Sequence, residues 1–399
     1  MRRTNLENWI ETTEALPKLT REGLEALQLK RLNETLAKLK ARGGFYKDYP
    51  EKLESLKDLQ TLPFTTAEDL SAYPAKFLLT SQSEVSRVIS GATSGTTGAP
   101  KRVFYTETDT GHTVGFFASG ISEMLRAGEK CFIAFPFTGP FGLGDLIAKA
   151  VEQLGGIPIR AGFGQTFGEM LDLLEKTQPE TYIGFPVTLL SLSRIYGEKF
   201  PVRRALVSGD ACPAGVMAEL EKALGSKLYP HYGSRECGLG GAVTCQAFEG
   251  MHLRENHILP EIVDEHGNVL PDGAYGELVL TTIGAEAMPL IRYRTGDYTR
   301  ILPPCPCGGV TRRIDTVSRR NENFSMEELD STLFGVPGLV DYRAVFDGRL
   351  HLHCLGKSPI ASAVSKTVLQ KYPNLEITVS EAADTQAHRP LYLGKRYVL

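Results

Sequence analysis

The amino-acid sequence predicts an α/β protein with a large N-terminal domain over residues 1–317 and a small α+β domain over residues 318–399. Between about residues 85 and 235, short apolar runs alternate with helical patterns, which is typical of βαβ units. Strand patterns separated by glycine turns follow at 258–302 and indicate an antiparallel β subdomain. We therefore expect βαβ-type sheets flanked by helices, an antiparallel subdomain and a separate C-terminal domain.

The N-terminal segment, residues 5–42, is predicted to be mostly helical. The apolar residues of its buried face recur at spacings of three and four: Leu24, Leu27, Leu29, Leu32, Leu36 and Leu39. After a proline-marked turn, Thr65 or Thr66 is predicted to cap a further helix that contains Glu68.

A largely parallel sheet is predicted from three apolar runs that stop at glycine or proline, namely CFIAF (131–135), TYIGF (181–185) and RALVSG (204–209). Helical patterns accompany them near 142–154, 168–176 and 186–196. Strands that alternate with helices in this way pair in parallel, because each crossover helix returns the chain to the same end of the sheet.

The C-terminal domain is predicted to begin near 315–323, where SRRNEN (318–323) is polar and without periodicity. Ser325 and Glu328 form the sequence signature of a capping box for a helix over 326–334. Asp347-Gly348 between two apolar runs indicates a β-hairpin, and a helix near 360–371 and a strand are expected to follow.

Composition excludes several classes of protein. The net charge is −3 and no long basic run occurs, so the chain lacks the electrostatic footprint of a nucleic-acid-binding protein. No apolar stretch approaches the length of a membrane span, and the N-terminus lacks the apolar core of a signal peptide. The seven cysteines are an odd number, which argues against a disulfide framework. A cytoplasmic protein is expected.

The loop SGATSGTTGAPKRV (90–103) has the composition of a phosphate-binding loop. Its glycines let backbone N–H groups approach an anion, its hydroxyls add donors, and Lys101 supplies positive charge. The pattern differs from the Walker motif. By composition alone, a flexible polar surface loop is the alternative interpretation.

Within this loop, TSGTTGAPK (93–101) resembles the phosphate loop of the adenylate-forming superfamily, which includes acyl-CoA synthetases, peptide-synthetase adenylation domains and luciferases. Three more segments resemble motifs of that superfamily in the same order: HYGSRE (231–236), YRTGD (293–297) and RPLYLGKR (389–396). Four ordered motifs across some 300 residues identify the chain as a member of the superfamily.

A branch of the superfamily is indicated by further segments. LPFTTAEDL (62–70), GMHLRENHILPEIVD (250–264), LPDGAYGELVLTT (270–282) and PLIRYRTGD with the following CPCG resemble the phenylacetate–coenzyme A ligases. The resemblance is clearest over 61–315 and weakest after 318.

The resemblance implies a binding site for ATP. The loop and Lys101 would hold the β- and γ-phosphates, Asp297 the ribose, and Tyr232 would lie near the adenine. The implied nucleotide-binding residues are Ser94, Gly95, Thr96, Thr97, Gly98, Lys101, Ser208, Gly209, Asp210, Tyr232, Gly233, Asp297 and Arg312. Asp210 stands where the family usually has Glu, and Arg312 or its neighbour Arg313 would meet phosphate or ribose.

Three residues are implied to act in catalysis: Lys395, Glu236 and Arg235. Glu236 would help to place Mg²⁺, a hard cation that prefers oxygen ligands. Lys395 would stabilise charge in the transition state of adenylation. Arg235 replaces the family's usual Thr or Ser, and it would contact the α-phosphate or point away to pair with a surface acid.

The C-terminal domain of the superfamily is a lid with one pose for adenylation and another for thioester formation. Here the hinge reads SRRNENF (318–324): Ser318 replaces Gly, Asn321 replaces the hinge Asp, and the loop is several residues shorter than in the family. The shortened loop predicts a slow or altered second step.

The pocket for the acid is expected in FPFTGPFG (135–142) and GFPV (184–187), which align with acyl-site segments of the family. The implied substrate-binding residues are Phe135, Phe137, Phe141, Gly184 and Phe185. For any single phenylalanine, packing in the core is the better interpretation.

A structural zinc site is predicted from Cys305-Pro-Cys307 together with Cys245 and His252, which are seven residues apart. Three thiolates and one imidazole make a closed tetrahedral site, and some members of the ligase branch carry zinc at corresponding residues. Cys237 competes as a ligand, but its place beside Glu236 favours a packing role.

The sequence therefore predicts a ligase that converts a small carboxylic acid, such as an aryl acetate or benzoate, to acyl-AMP with ATP and then to the thioester with coenzyme A. An adenylating enzyme that passes the acyl group to a carrier-protein thiol or an amine is the first alternative. A catalytically silent nucleotide-binding homologue is the second. Homodimerisation is expected by analogy with the branch.

Overall fold

A computed structural model describes residues 2–91, 101–139, 141–162, 164–319, 325–357 and 359–399. The chain forms two compact units. The first unit comprises Met1–Glu123 and His231–Arg319, and the second comprises Met124–Pro230 and Arg320–Leu399. One change of unit falls close to the predicted domain boundary at 317/318, whereas the changes after Glu123 and Pro230 were not predicted. The C-terminal lid stays a prediction.

The α-helices of the described residues are, in chain order, α1 (Asn5–Thr13), α2 (Arg21–Arg42), α3 (Ala67–Ala72), α4 (Glu107–Ile121), α5 (Leu143–Gln153), α6 (Phe167–Thr177), α7 (Pro186–Tyr196), α8 (Ala214–Leu224), α9 (Met326–Leu333) and α10 (Ala361–Lys371). Short 3₁₀ turns occur at Gly44–Tyr46, Leu56–Thr61, Pro74–Phe77, Gln82–Glu84 and Arg235–Cys237. Among the described residues, no helix is long and apolar enough to cross a membrane.

The strands are β1 (Arg87–Gly91), β2 (Lys101–Tyr105), β3 (Lys130–Ala134), β4 (Ile157–Arg160), β5 (Thr181–Gly184), β6 (Arg204–Val207), β7 (Tyr229–Tyr232), β8 (Ala242–Val243), β9 (Met251–Leu253), β10 (Ile258–Val263), β11 (Gly276–Thr282), β12 (Tyr293–Thr299), β13 (Ile301–Leu302), β14 (Arg313–Ile314), β15 (Ser318–Arg319), β16 (Leu339–Phe346), β17 (Leu350–Gly356) and β18 (Ile377–Ala382).

In the first unit, α2 confirms the predicted N-terminal helix but with a modified buried face. Leu24, Leu32, Leu36 and Leu39 are buried as predicted. Leu27 and Leu29 are only half-buried, and the polar Gln28 is buried because its amide donates to the backbone oxygen of Glu255 (2.8 Å). One polar side chain therefore belongs to a face that apolar spacing alone assigns to leucines.

The sheets of the first unit are antiparallel, as the sequence predicts for 258–302. Strands β10, β11, β12 and β15 form one sheet in that order. In it Asp297 of β12 pairs with Arg319 of β15. A second sheet has the order β13-β14-β9-β8, and His231 and Tyr232 of β7 pair with β8.

Helix α4 of the first unit was not predicted. Its sequence, ETDTGHTVGFFASGI, is rich in glycine and threonine, which are weak helix formers. Thr106 caps it in a full capping box with Asp109. A Cβ atom at Gly115 would lie 2.5 Å from the indole nitrogen of Trp9, and one at Gly120 would lie 2.6 Å from Val243. These glycines let α4 pack closely, so tertiary contacts outweigh local propensity.

The second unit contains the predicted parallel sheet, with strand order β4-β3-β5-β6 and with Tyr229 and Pro230 of β7 paired to β6. Helix α7 has the predicted bounds, and α5 and α6 differ from the prediction by one residue at each end. Helix α8 was not predicted, although it follows β6 as the βαβ pattern requires.

The C-terminal residues of the second unit contain the predicted hairpin, where β16 and β17 pair around Gly348 (φ +102°), and β18 pairs with β17 in parallel. Ser325 caps α9 by accepting the N–H of Glu328. The capping box also predicts that the Glu328 carboxylate accepts the backbone N–H of Ser325. This part of the prediction is wrong, because that carboxylate pairs with Lys371 (2.8 Å).

One hydrophobic core joins the C-terminal residues to the rest of the second unit. Leu189 of α7 and Leu220 of α8 belong to the same buried cluster as Leu329 of α9 and Val340 of β16. The buried Ser191 hydroxyl donates to the backbone oxygen of Val340 (2.7 Å).

Candidate active site and metal centre

A lysine and a glutamate from distant parts of the first unit meet at the start of β2. Lys101 Nζ lies 2.5 Å from Glu236 Oε1 and 2.9 Å from the hydroxyl oxygen of Tyr293. Burial favours the neutral acid, yet the Lys101 ammonium holds the pKa of Glu236 below its ordinary value. The predicted phosphate-binding lysine and the predicted magnesium-binding carboxylate are thus one charged pair.

Asp297 accepts hydrogen bonds on both carboxylate oxygens. The Tyr232 hydroxyl donates to Oδ2 (2.9 Å), and Arg319 Nε donates to Oδ1 (3.0 Å). Burial raises the pKa of Tyr232 well above its usual value, so its hydroxyl keeps its proton. The structure therefore brings together the predicted ribose residue and the predicted adenine-side tyrosine. Sequence reasoning missed Arg319. Its role follows from the strand register, which places it opposite Asp297 across β12 and β15.

The turn that carries Glu236 has strict backbone requirements. A Cβ atom at Gly233 would overlap the carbonyl oxygen of Leu239, so only glycine fits there. Arg235 is half-buried in this turn, and its backbone oxygen accepts the Tyr105 hydroxyl. Gly233 therefore shapes the loop, and the contact of Arg235 with an α-phosphate stays a prediction.

Arg312 has a structural partner in the first unit. Its Nε donates to Glu255 Oε1 (2.9 Å), and its backbone N–H donates to Glu255 Oε2 (2.6 Å). The buried Glu255 also pairs with Arg21 (2.7 Å). Arg313 donates to the backbone oxygens of Pro303 and Glu249. These contacts explain both arginines structurally, and a contact with nucleotide stays a prediction.

In the second unit, Ser208, Gly209 and Asp210 follow β6. Gly209 has φ +83°, and a Cβ atom there would lie 2.6 Å from the Phe185 ring and 3.0 Å from the Phe135 ring. The two rings meet edge to face with centroids 4.9 Å apart. This part of the predicted nucleotide site and two residues of the predicted acid pocket are therefore neighbours.

The other residues predicted for the acid pocket have different surroundings. The half-buried Phe137 lies under the Arg160 guanidinium (5.0 Å), and the half-buried Phe141 lies under Lys149 (5.4 Å). Gly184 lies against the Tyr182 hydroxyl, where a Cβ atom would not fit. Their roles in binding an acid stay predictions.

Asp210 also anchors the segment that contains Lys395. The Arg396 backbone N–H donates to Asp210 Oδ2 (2.8 Å), and the Arg396 guanidinium is buried against Asp330 (3.1 Å) and Asp341 (2.7 Å). Burial raises the pKa of Asp210 to about 6. Lys395 itself is exposed. Arg396 thus fixes the backbone next to the predicted catalytic lysine.

The four predicted zinc ligands form one buried cluster in the first unit. The side-chain donor atoms of Cys245, His252, Cys305 and Cys307 lie within 4.8 Å of one another. Cys245 Sγ is 3.6 Å from Cys305 Sγ, and Cys307 Sγ is 3.5 Å from His252 Nε2. Cys237 instead contacts the backbone of Ser234.

Hydrogen bonds around this cluster orient its ligands. The second ring nitrogen of His252, Nδ1, lies 2.8 Å from the Thr311 hydroxyl, which in turn contacts Glu7 Oε1 (3.0 Å). The backbone N–H of Gly309 donates to Cys307 Sγ (3.4 Å). An oriented imidazole with N–H···S bonds to a thiolate is the usual support of a zinc site, so the residues present fit this metal.

The chain matches the family model described as AMP-binding enzyme over residues 92–286. It is 35% identical over 336 residues to the phenylacetate-coenzyme A ligase of Aromatoleum evansii, covering 78% of this chain and 73% of that protein. The chain belongs to the phenylacetate–coenzyme A ligase family. The ligase of Thermus thermophilus is 30% identical over 362 residues, covering 82% of this chain and 79% of that protein.

Among solved structures, a 2-hydroxyisobutyryl-CoA ligase in the postadenylation state has a TM-score of 0.78 and 19% identity, covering 94% of this chain and 89% of that one. It shows that the chain has the α/β fold of adenylate-forming ligases. The predicted phosphate-loop residues Ser94, Gly95, Thr96, Thr97 and Gly98 lie outside the described residues.

Proposed function

We propose that this protein uses ATP to convert a carboxylic acid to an acyl-adenylate and then transfers the acyl group to coenzyme A. The observation that carries the proposal is the meeting of Lys101 with Glu236 in the same unit where Tyr232 meets Asp297. Membership of the phenylacetate–coenzyme A ligase family supports it.

Adenylation brings a carboxylate against the α-phosphate of ATP, so the protein must neutralise negative charge and align two anions. Lys101 would hold phosphate oxygens once the nucleotide draws it away from Glu236, and Glu236 would then be free to help bind Mg²⁺. Asp297 would accept the ribose hydroxyls, since its ionised carboxylate is acceptor-only. Lys395 would supply the cation at the reacting carboxylate and α-phosphate.

Zinc at Cys245, His252, Cys305 and Cys307 would be structural. The set supplies four protein ligands, so it leaves no open position for a substrate or water. When bound, the metal would tie the loop that carries Cys245 to the loop after β13, which carries Cys305 and Cys307.

The proposed activity is tested with a panel of aryl and alkyl acids, ATP and Mg²⁺, by measuring pyrophosphate release and the acyl product with and without coenzyme A. At least one acid should give acyl-AMP without coenzyme A and acyl-CoA with it. Asp297→Ala is the matched control, which should need a higher concentration of ATP to release pyrophosphate at the same rate. If the protein binds ATP but releases no pyrophosphate with any acid, the result would favour a catalytically silent nucleotide-binding homologue.

Transfer to a carrier-protein thiol or an amine is the second candidate. The short sequence segment SRRNENF favours it, although residues 320–324 of this segment lie outside the described residues. A shorter hinge loop has less reach into a tunnel for the pantetheine arm. Acyl-CoA formation as fast as adenylation would exclude this candidate. Adenylation with slow acyl-CoA formation, and faster reaction with hydroxylamine or a carrier protein, would support it.

A further inference from the structure

A run of four buried polar residues, Arg254–His257, joins β9 to β10 in the first unit. Glu255 pairs with Arg21 and Arg312, and the Asn256 amide donates to Glu14 (2.8 Å). Arg254 differs from these neighbours. Its Nη2 donates to the backbone oxygen of Cys237 (3.0 Å), but its buried Nε and Nη1 have no hydrogen-bond partner among the described residues.

His257 lies near Arg254. Within the part of the chain that the structure describes, neither of its buried ring nitrogens has a hydrogen-bond partner. A neutral imidazole always carries one N–H, so His257 adds an unused donor to those of Arg254. Its ring centroid is 4.6 Å from that of the half-buried His112 and 5.9 Å from that of Trp9. Burial and the charge of Arg254 lower the pKa of both histidines, so they are neutral.

Among the described residues, no carboxylate forms an ion pair with this guanidinium: burial lowers the pKa of Arg254 to about 10, and the charge of Asp109 opposes that shift only from beyond ion-pair distance. Asp109 already accepts the backbone N–H groups of Glu286 and Ala287 (2.9 and 3.0 Å). Burial raises the pKa of the Cys237 thiol, and the protonated Tyr105 hydroxyl donates to the backbone oxygen of Arg235. An arginine cannot lose its proton at neutral pH, and a buried unpaired charge is costly. An anion that paired with Arg254 would remove this cost.

We propose that Arg254 and His257 form a buried receptor for a carboxylate group. An edge of the planar guanidinium that combines Nη1 or Nε with the second N–H of Nη2 suits the two oxygens of a carboxylate, and the imidazole N–H provides a third donor. The half-buried ring of His112 forms the more open side of the cluster. The receptor adjoins Cys237, the residue after the predicted magnesium ligand Glu236.

The carboxylate has two conceivable sources. It is either a free small carboxylate from solution or a second carboxylate of the acid substrate. The second source rests on the proposed function and makes dicarboxylic acids a preferred substrate class. The two sources are distinguished by separate measurements of binding and of turnover.

The binding arm compares thermal unfolding of the wild-type protein, Arg254→Met and the control Arg300→Met, an exposed arginine that pairs with Asp315 (2.9 Å). Sodium acetate and sodium malonate are titrated at constant ionic strength. We expect a saturable rise of the wild-type melting temperature of about 2 °C or more. Arg300→Met should show the same rise and Arg254→Met none. Without carboxylates, Arg254→Met should be at least as stable as the wild type, since the substitution removes an unpaired buried charge.

The turnover arm measures pyrophosphate release with dicarboxylates from malonate to adipate and with monocarboxylates of matched length. If the substrate supplies the carboxylate, the wild type prefers the dicarboxylates, and Arg254→Met lowers the dicarboxylate-to-monocarboxylate ratio by about tenfold or more. A thermal shift without such a preference identifies a free carboxylate as the occupant. If no acid gives pyrophosphate, the proposed function is wrong. The thermal unfolding measurements still test whether Arg254 binds a carboxylate.

Absence of both a saturable thermal shift and a dicarboxylate preference in the wild type would overturn the proposal and assign the unused donors to water. If Arg254→Met does not fold, equilibrium dialysis of ¹⁴C-malonate against the wild type and Arg254→Lys takes its place. Saturable binding that the lysine variant weakens, since its ammonium has no planar fork, supports the receptor. Lack of binding to the wild type refutes it.

Discussion

The ammonium nitrogen of Lys101 lies 2.5 Å from a carboxylate oxygen of Glu236, 135 residues further along the chain. Both side chains are largely buried, at 16% and 9% exposed. Each is therefore the other's counter-ion, and Tyr293 contacts both. The motifs TSGTTGAPK and HYGSRE thus meet in one ion pair.

This pair predicts a measurable coupling. Removal of one partner leaves a largely buried charge uncompensated, so Lys101→Met and Glu236→Gln should each destabilise the protein. The double variant should be more stable than the sum of the two losses, with a coupling of about 1–3 kcal/mol. Denaturant unfolding of the four proteins without nucleotide measures this cycle. Additive losses would show that the two side chains do not interact in solution.

Replacement of Asp297 by alanine should weaken ATP binding by about tenfold or more while the protein stays folded, because the carboxylate is the predicted acceptor for the ribose. Tyr232→Phe and Arg319→Met are matched controls, since each removes one protein partner of that carboxylate and leaves its oxygens in place. Calorimetric titration with ATP measures the effect. Equal affinity of Asp297→Ala and wild type would refute the placement of the ribose.

Protein purified without added metal should contain about one zinc per chain, and Cys305→Ser should lose the metal and melt at a lower temperature. Thr311→Val should keep the four ligands but bind zinc about 10–100-fold more weakly, because it removes the contact that orients His252. Cys237→Ser, outside the cluster, is the control that should retain zinc. Elemental analysis and chelator competition measure these effects. A metal-free wild type would contradict the prediction.

Lys395 and Arg396 are neighbours with opposite expected roles. Lys395 is exposed, so Lys395→Ala should leave the free energy of unfolding nearly unchanged and cut acyl-AMP formation by about 10²–10³-fold. Arg396→Met should cost about 3–5 kcal/mol of stability, because it leaves the buried Asp330 and Asp341 carboxylates without their cation. Unfolding and pyrophosphate release are measured for both variants. Full activity of Lys395→Ala would exclude it as the adenylation lysine.

Asp210 should make stability depend on pH. Burial raises its pKa from 3.8 to about 6 in the folded protein, so the folded state binds a proton more tightly than the unfolded state. Its contribution to the free energy of unfolding should therefore fall as the pH rises through this window, and stay constant above it. The difference in stability between the wild type and Asp210→Asn, followed by denaturant unfolding from pH 4 to 8, measures the effect. If the wild type instead gained stability relative to Asp210→Asn as the pH rises, the predicted direction of the pH dependence would be wrong.

Much of the fold could be predicted because the signals are local. The period of apolar residues gave α7, and the Asp347-Gly348 turn gave the hairpin of β16 and β17. Four ordered motifs were sufficient to indicate the family. Helix α4 escaped prediction because its glycines serve contacts with Trp9 and Val243, which lie far from it in the sequence.

The sequence by itself determined which residue types are available: the thiols and imidazole of the metal cluster, and the lysine and glutamate of the ion pair. Only the tertiary structure decided their partners. It assigned Arg319 to Asp297, Arg312 to Glu255 and Arg396 to a buried pair of aspartates, and it left Arg254 without an ion pair among the described residues. Each arginine carries the same charge in the sequence. Its role depends on which carboxylate the fold brings within about 3 Å and on how much water remains nearby, and neither quantity is encoded in local spacing.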